Sequence, residues 1–326
     1  MTFHETVVTA ARRIRLPMRE VRESACRGES GRCTGGMPSA YLWCPAYPLE
    51  HERHLAQARL GARALAVACK LTLVESPSLA RFGGNGSWED ASARLDEFRH
   101  ALGHDVLLAA RGGYGCIDLL GALDDSQHLP SLIGYSDLTI LHGHWRRRGR
   151  PSLYGFMPAV TTGPLALAST CSLLQGQAWS LSSSEAPHSL VLRPGRAQGT
   201  CFAACLRVLA GMIGTPAIPS LAGSLLALED IDERPYRLDR DLKQLHLAGA
   251  LDGITGLLFG TLPAALPPDY QGPSAIDIAR RWADRLGVPT VFGVPFGHAD
   301  DPYTLPCGRQ GEFEATESSW RLSFAA

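Results

Sequence analysis

The chain reads as an α/β protein of two domains, the first of them built on a parallel sheet. Three observations predict this. From Leu42 onward, short apolar runs alternate with amphipathic helical stretches, the pattern of strands joined by crossover helices. After Pro158 the texture changes to a Ser-, Thr-, Gly- and Ala-rich connection, and a second alternating unit opens near Leu190. The 326 residues, 45% hydrophobic and 19% charged, suffice for two cores of ordinary globular size.

In order, Leu42 to Ala46 reads as a strand. Leu49 to Ala66 reads as a helix, with Leu55, Ala58, Leu60, Ala62 and Leu65 on its apolar face. Lys70 to Val74 is the second strand. Ser87 with Asp90 forms a capping box for a helix from Trp88 to Leu102, with Ala93, Leu95 and Phe98 inward. The strand DVLLAA then runs into Arg111-Gly112-Gly113-Tyr114-Gly115, and the strand Ser131 to Gly134 into Tyr135-Ser136-Asp137. Ligands of parallel sheets bind where loops leave the carboxyl ends of strands, so both loops are expected at one site. The second unit is read as a helix over Phe202 to Ile213, a strand SLLALE, a helix Arg237 to Leu247, a strand GITGLLFG, a helix Ser274 to Leu286, and short strands in VPTVFGVPFG and GEFEA. The expected divisions are 37–160 for the first domain, 161–189 for the connection and 190–326 for the second domain. Residues 1–36 stand apart: seven arginines lie between Ala11 and Gly36 without periodicity, as in a disordered arm or a non-native extension.

Composition excludes several classes. Lys plus Arg number 31 against 32 acidic residues, which points to neither nucleic acid nor an anionic membrane as partner. The basic run Arg146 to Arg150 reads as a solvated helix end. No apolar run reaches the roughly 18 residues of a membrane span, and no signal-peptide core follows the N-terminus, so a cytoplasmic location is expected. The nine cysteines are scattered and never form C-x-x-C, which argues against a disulfide framework and a thiolate zinc site. Neither a cofactor nor a metal is expected.

The stretch LIGYSDLTI, Leu132 to Ile140, has the strand-turn-helix form of a nucleophile elbow, but Leu138 stands where the second glycine of G-x-S-x-G belongs. Ser136 reads either as a nucleophile or as the cap of the following helix. RGGYG supplies backbone N–H groups that could approach a ligand, with the amides of Gly113 and Asp137 as an oxyanion hole, or it is a tight turn only. Of eleven histidines, His142 and His144 lie two apart and share no helix face. His298, at the end of VPTVFGVPFG, is the better base. In SLLALEDIDE, alternation sends Glu229 and Asp230 to opposite faces, so only one of them can meet it. Arg111, Arg237 and Arg240 could bind a terminal carboxylate or make structural ion pairs, and Tyr135 and Tyr236 could line a pocket or a core.

Four blocks in order, ARGGYG (Ala110 to Gly115), IGYSD (Ile133 to Asp137), LALEDIDERPYRLDRDLKQL (Leu226 to Leu245) and VPFGHADDPYTLPCG (Val294 to Gly308), resemble the L,D-carboxypeptidases of serine peptidase family S66. The resemblance covers Met37 to the C-terminus. It implies a triad of Ser136, Glu229 and His298, a flavodoxin-like or amidotransferase-like N-terminal sheet domain, and a smaller α/β C-terminal domain. It also implies a site between the domains, a homodimer, and a murein-derived peptide substrate that loses terminal D-alanine in cell-wall recycling. A related alternative is a hydrolase of peptidyl or aminoacyl nucleotides of the microcin immunity type, for which Trp88 or Trp179 would stack on the base. A more distant one is a non-catalytic anion-binding protein. The chain departs from the family at Gly199-Thr200-Cys201-Phe202, where many relatives have Gly-Gly-Asn-Leu.

Overall fold

The structure is a computed structural model and describes residues 37–83, 91–123, 128–161, 163–263, 266 and 268–326. The N-terminal extension, the Ser87 and Asp90 capping box and Trp88 lie outside the described residues.

The first unit runs β1 (Ser39–Trp43), α1 (Glu52–Cys69), β2 (Thr72–Glu75), α2 (Ala91–Ala101), β3 (Val106–Ala109), β4 (Ser131–Gly134), α3 (Thr139–Arg147) and β5 (Ser152–Tyr154). Parallel pairing gives the order β5-β4-β3-β1-β2. β3, VLLA, is buried throughout, as a strand covered on both faces requires. On α1, Leu55, Ala58, Ala62 and Leu65 are buried as the periodicity predicts, but Leu60 is 53% exposed. Gly61 takes the inward place instead: a Cβ there would lie 2.8 Å from Pro158 Cβ, so the helix seats through a glycine and turns Leu60 outward. Arg94 of α2 is buried and pairs with Asp118 at 2.6 Å.

The second unit continues through α4 (Pro164–Leu174), β6 (Trp179–Ser182), β7 (Leu190–Arg193), β8 (Gly195–Cys205), α5 (Leu206–Gly211), β9 (Ser224–Glu229), α6 (Pro235–Leu247), β10 (Gly256–Phe259), α7 (Ala275–Leu286), β11 (Thr290–Phe292), β12 (Leu305–Cys307), β13 (Gln310–Ala315) and β14 (Trp320–Phe324). Its sheet has the order β6-β14-β13-β8-β9-β10-β11-β7. The middle strands β8 to β11 are parallel and the flanks antiparallel. β12 leaves this unit and pairs antiparallel with β5, adding a sixth strand to the first sheet.

The helix expected over Phe202 to Ile213 is strand in its first four residues. Residues up to Cys205 belong to β8, in parallel register with β9 from Thr200 opposite Ser224 to Cys205 opposite Glu229. An apolar run such as CFAAC, buried on both faces, lacks the polar stripe that separates helix from strand in sequence, and the sheet takes it. Arg146 is not a solvated residue either. Its guanidinium donates to Ser224 Oγ at 2.9 Å and lies over the Phe202 ring, fastening α3 to the second sheet. Thr139 makes a second fastening, its hydroxyl accepting from Cys205 N at 3.0 Å. The apolar cores of the two sheets are continuous among the described residues.

The burial pattern sets a stability test. Leu226 lies fully buried in β9 whereas Val67 is 81% exposed on α1. Leu226→Ala is expected to cost about 2–5 kcal/mol in urea unfolding, and Val67→Ala less than about 0.5 kcal/mol. Equal losses would contradict this packing.

Candidate active site

Ser136 stands at the carboxyl end of β4. Gly134 has φ +152°, and a Cβ there would meet Leu138 Cδ2 at 2.5 Å, so the turn must begin on a glycine. Ser136 follows at φ +66° and opens a 3₁₀ turn, Ser136–Leu138, that leads into α3. The left-handed conformation costs a serine on the order of 1 kcal/mol. Serine as a helix cap is excluded: Tyr135 and Leu138 hold the capping positions, and the Ser136 hydroxyl has no hydrogen-bond partner among the described residues. The strain lifts the side chain out of the turn instead. Beneath it, a Cβ on Gly112 would lie 3.2 Å from Ser136 Oγ, so only a glycine fits comfortably. His142 braces the strand end, its ring bridging the Gly134 carbonyl (2.9 Å) and Ser152 Oγ (2.7 Å). Burial holds its pKa down at about 4, so this histidine is a neutral strut.

The RGGYG loop lies against this turn. Gly113, at φ +125°, is packed on the Tyr47 ring. Asp137 turns its carboxylate inward, accepting from Cys116 N at 2.8 Å and binding loop to turn. Burial raises its pKa, while the hydrogen bonds from Cys116 and Gly115 oppose the rise. Arg111 donates to the Pro48 carbonyl (3.2 Å) and to Glu50 (3.1 Å), over the Tyr47 ring.

Glu229, the last residue of β9, reaches across from the second sheet. Its Oε2 accepts from His298 Nδ1 at 2.7 Å and from His298 N at 3.2 Å, and its Oε1 from Tyr154 Oη at 2.6 Å. Asp230 points the other way, to the amides of Arg207 (2.8 Å) and Ile231 (2.9 Å). Burial pushes its pKa up to about 6. The alternation of β9 thus gives Glu229 to the histidine and Asp230 to the start of α5. Two glycines make room: Gly260, where a Cβ would meet Glu229 Cβ at 2.7 Å, and Gly297, at φ +66°, which lies directly against the Glu229 carboxyl. Burial alone would lower the His298 pKa. The Glu229 hydrogen bond and charge, with Asp230 and Asp232 beyond, raise it above its ordinary value. The loop after His298 is anchored on α4: Asp301 accepts from Leu165 N at 3.0 Å, and Thr304 N donates to Ser169 Oγ at 2.9 Å.

A pocket of about 760 Å³ opens over these residues. It is lined by Ser136, His298, Gly112, Gly113 and Arg111, by the apolar groups of Tyr135, Met157, Val160 and Ile231, and by Asp300. Asp137 is not in the lining, its side chain being committed inward. Arg237 and Arg240 stand outside it and pair with Glu233 and Asp241. Tyr236 is half-exposed under Arg237. Trp179 is packed on Phe324 and Tyr303, away from the pocket. Glu50, His51 and His54 bring three ligand-type atoms within 4.8 Å of one another, but Arg111 already holds the carboxylate and the start of α1 opposes a cation there. Tyr154 has no warning in the sequence, because a tyrosine closing an apolar strand reads as core.

Residues 41–155 match the LD-carboxypeptidase N-terminal domain and residues 198–313 the LD-carboxypeptidase C-terminal domain of peptidase family S66. The chain belongs to this family. A Streptomyces coelicolor relative that carries a provisional carboxypeptidase name is 35% identical over 67% of this chain and 71% of its own. The murein tetrapeptide carboxypeptidase of Pseudomonas aeruginosa is 29% identical over 70% of this chain and 79% of its own. In fold, the muramoyltetrapeptide carboxypeptidase from Oxalobacter formigenes superposes with TM-score 0.75 at 24% identity, covering 88% of this chain and 99% of its own. The microcin C7 self immunity protein superposes at 0.72 and 17%, covering 89% and 98%. The α/β architecture with a parallel-strand first domain is therefore that of the family, and the chain is an S66 carboxypeptidase.

Glu229→Gln keeps the shape of the Glu229 and His298 pair and removes its charge. The His298 ring pKa, followed by NMR titration, is expected to fall by about one unit or more, since an adjacent carboxylate favours imidazolium. An unchanged titration would contradict the contact.

Proposed function

We propose that this carboxypeptidase is a serine hydrolase that cleaves an L,D-peptide bond and releases terminal D-alanine from murein tetrapeptide. One observation carries the reading: a serine whose hydroxyl has no partner among the described residues, in a left-handed turn, shares a pocket with a histidine whose Nδ1 is held by a buried carboxylate. A serine hydroxyl is a poor nucleophile until a base takes its proton and donors meet the oxyanion.

In this mechanism Nδ1–H of neutral His298 donates to Glu229, which leaves Nε2 as the base. Nε2 removes the Ser136 proton as Oγ attacks the carbonyl carbon of the L-configured residue. The amides of Gly113 and Asp137 donate to the resulting oxyanion. The C–N bond breaks, His298 returns the proton to the departing D-amino acid, and water resolves the ester by the same steps in reverse order. Murein tetrapeptide is the favoured substrate because the Pseudomonas aeruginosa relative bears that name. Peptidyl nucleotides are the second candidate, since the fold alone resembles the microcin immunity protein about as well. With Trp179 packed away, no described tryptophan lines the pocket to stack on a base. A cytoplasmic homodimer in cell-wall recycling completes the reading, on the family resemblance.

Wild type is expected to release D-alanine from murein tetrapeptide, detected by mass spectrometry. Ser136→Ala should lower kcat by roughly four orders of magnitude or more with unfolding unchanged. Undiminished release by the variant would remove Ser136 from the mechanism, and no release by wild type would reject the substrate. The base must be neutral, and the His298 pKa is raised. kcat/KM should therefore decline as pH falls through a value above about 6.5, the ordinary histidine pKa, and a limb below that would contradict the assignment.

A further inference from the structure

Tyr154 is fully buried at the end of β5. Its hydroxyl accepts from Ser136 N at 3.2 Å and lies 2.6 Å from Glu229 Oε1. The direction of both bonds is fixed by the partners. A backbone N–H can only donate and a carboxylate can only accept, so the phenol proton must point to Glu229. Burial, and then the Glu229 charge, hold the Tyr154 pKa well above its ordinary value, so the proton stays in place. An unbroken chain results: Ser136 N–H donates to Tyr154, Tyr154 O–H to Glu229 Oε1, and His298 Nδ1–H to Glu229 Oε2 at 2.7 Å.

We infer that Tyr154 is a positioning residue that joins the strained turn of Ser136 to the carboxylate of Glu229 and so sets both the aim and the basicity of His298. The inference rests on the serine hydrolase reading above. Two consequences follow from the bonding. First, the Ser136 amide at φ +66° is held by a side chain whose other end grips the acid, so nucleophile and base share one reference point although they come from different sheets. Second, the phenol draws charge from Glu229 and thereby weakens its hold on the imidazolium. The ring is in turn fixed by His142 (5.3 Å between centroids), Tyr135 (6.2 Å) and Phe296 (6.3 Å). The ionisable groups facing it are Glu229, Cys205, His142 and Tyr135, and those facing His298 are Glu229, Asp230, Asp232 and Tyr135.

The test compares wild type, Tyr154→Phe and a chain carrying 3,5-difluorotyrosine at position 154, with kinetics on murein tetrapeptide and the His298 titration by NMR on the same samples. Tyr154→Phe should lower kcat roughly 10- to 100-fold, the effect of losing one hydrogen bond to a charged group, with KM within about two-fold. It should raise the His298 pKa and move the acid limb of kcat/KM to higher pH. The fluorinated phenol, a stronger donor, should move both to lower pH. It also decides the matter if the phenylalanine variant does not fold. A loss of rate with both titrations unmoved would make Tyr154 structural only and overturn the inference, as would unchanged kcat. Opposite shifts of the His298 titration without turnover by wild type would uphold the chain of bonds and reject the hydrolase reading instead.

Discussion

The carboxylate of Glu229 is 1% exposed, at the seam where the carboxyl end of β9 meets the first sheet. A carboxylate in such a place is tolerated only when its oxygens are met by donors. Here Tyr154 meets one oxygen, and the backbone and ring of His298 meet the other. The donors come from the last residue of β5 and from the loop after β11, so the charge is satisfied in only one relative setting of the two sheets. The seam is then reinforced where α3 crosses it, by Thr139 to Cys205 and Arg146 to Ser224.

Three glycines make room for the groups at that seam. Gly260 and Gly297 leave the space the Glu229 side chain occupies, and Gly112 leaves the space under Ser136. A methyl group at any of these would push on a group whose position matters to within a few tenths of an ångström, because close-packed interiors transmit such displacements rather than absorb them. RGGYG and FGH are thus clearances in the packing as much as turns.

The sequence announces the regular parts well. Ser131–Gly134 and Ser224–Glu229 are strands over the residues expected, since short apolar runs bounded by loops leave little choice. Helix α7 begins after Ser274, which with Asp277 closes a capping box. What local sequence hides is whatever depends on a distant partner. CFAAC became strand because β9 lies beside it, and Leu60 faces out because Gly61 packs on Pro158. Ser136, Glu229 and His298 were each ambiguous as single residues. The family blocks are what propose them as a set, and the contacts of Glu229 with His298 and of Asp230 with Arg207 follow the alternation that separates the two acids. Tyr154 belongs to no such block, and only the fold brings it to Glu229.

β12 carries a consequence for how the molecule is made. Leu305 pairs with Tyr154 and Cys307 with Ser152, so the strand that holds Tyr154 gains its outer neighbour from the far end of the chain. On a ribosome the first sheet emerges with β5 as an open margin, the kind of strand that pairs with other chains if left uncovered. Glu229 and His298 follow, and β12 arrives after both. The open margin of β5 is therefore covered by the segment that follows His298, so the first sheet is closed only after the residues of the pocket have been synthesised.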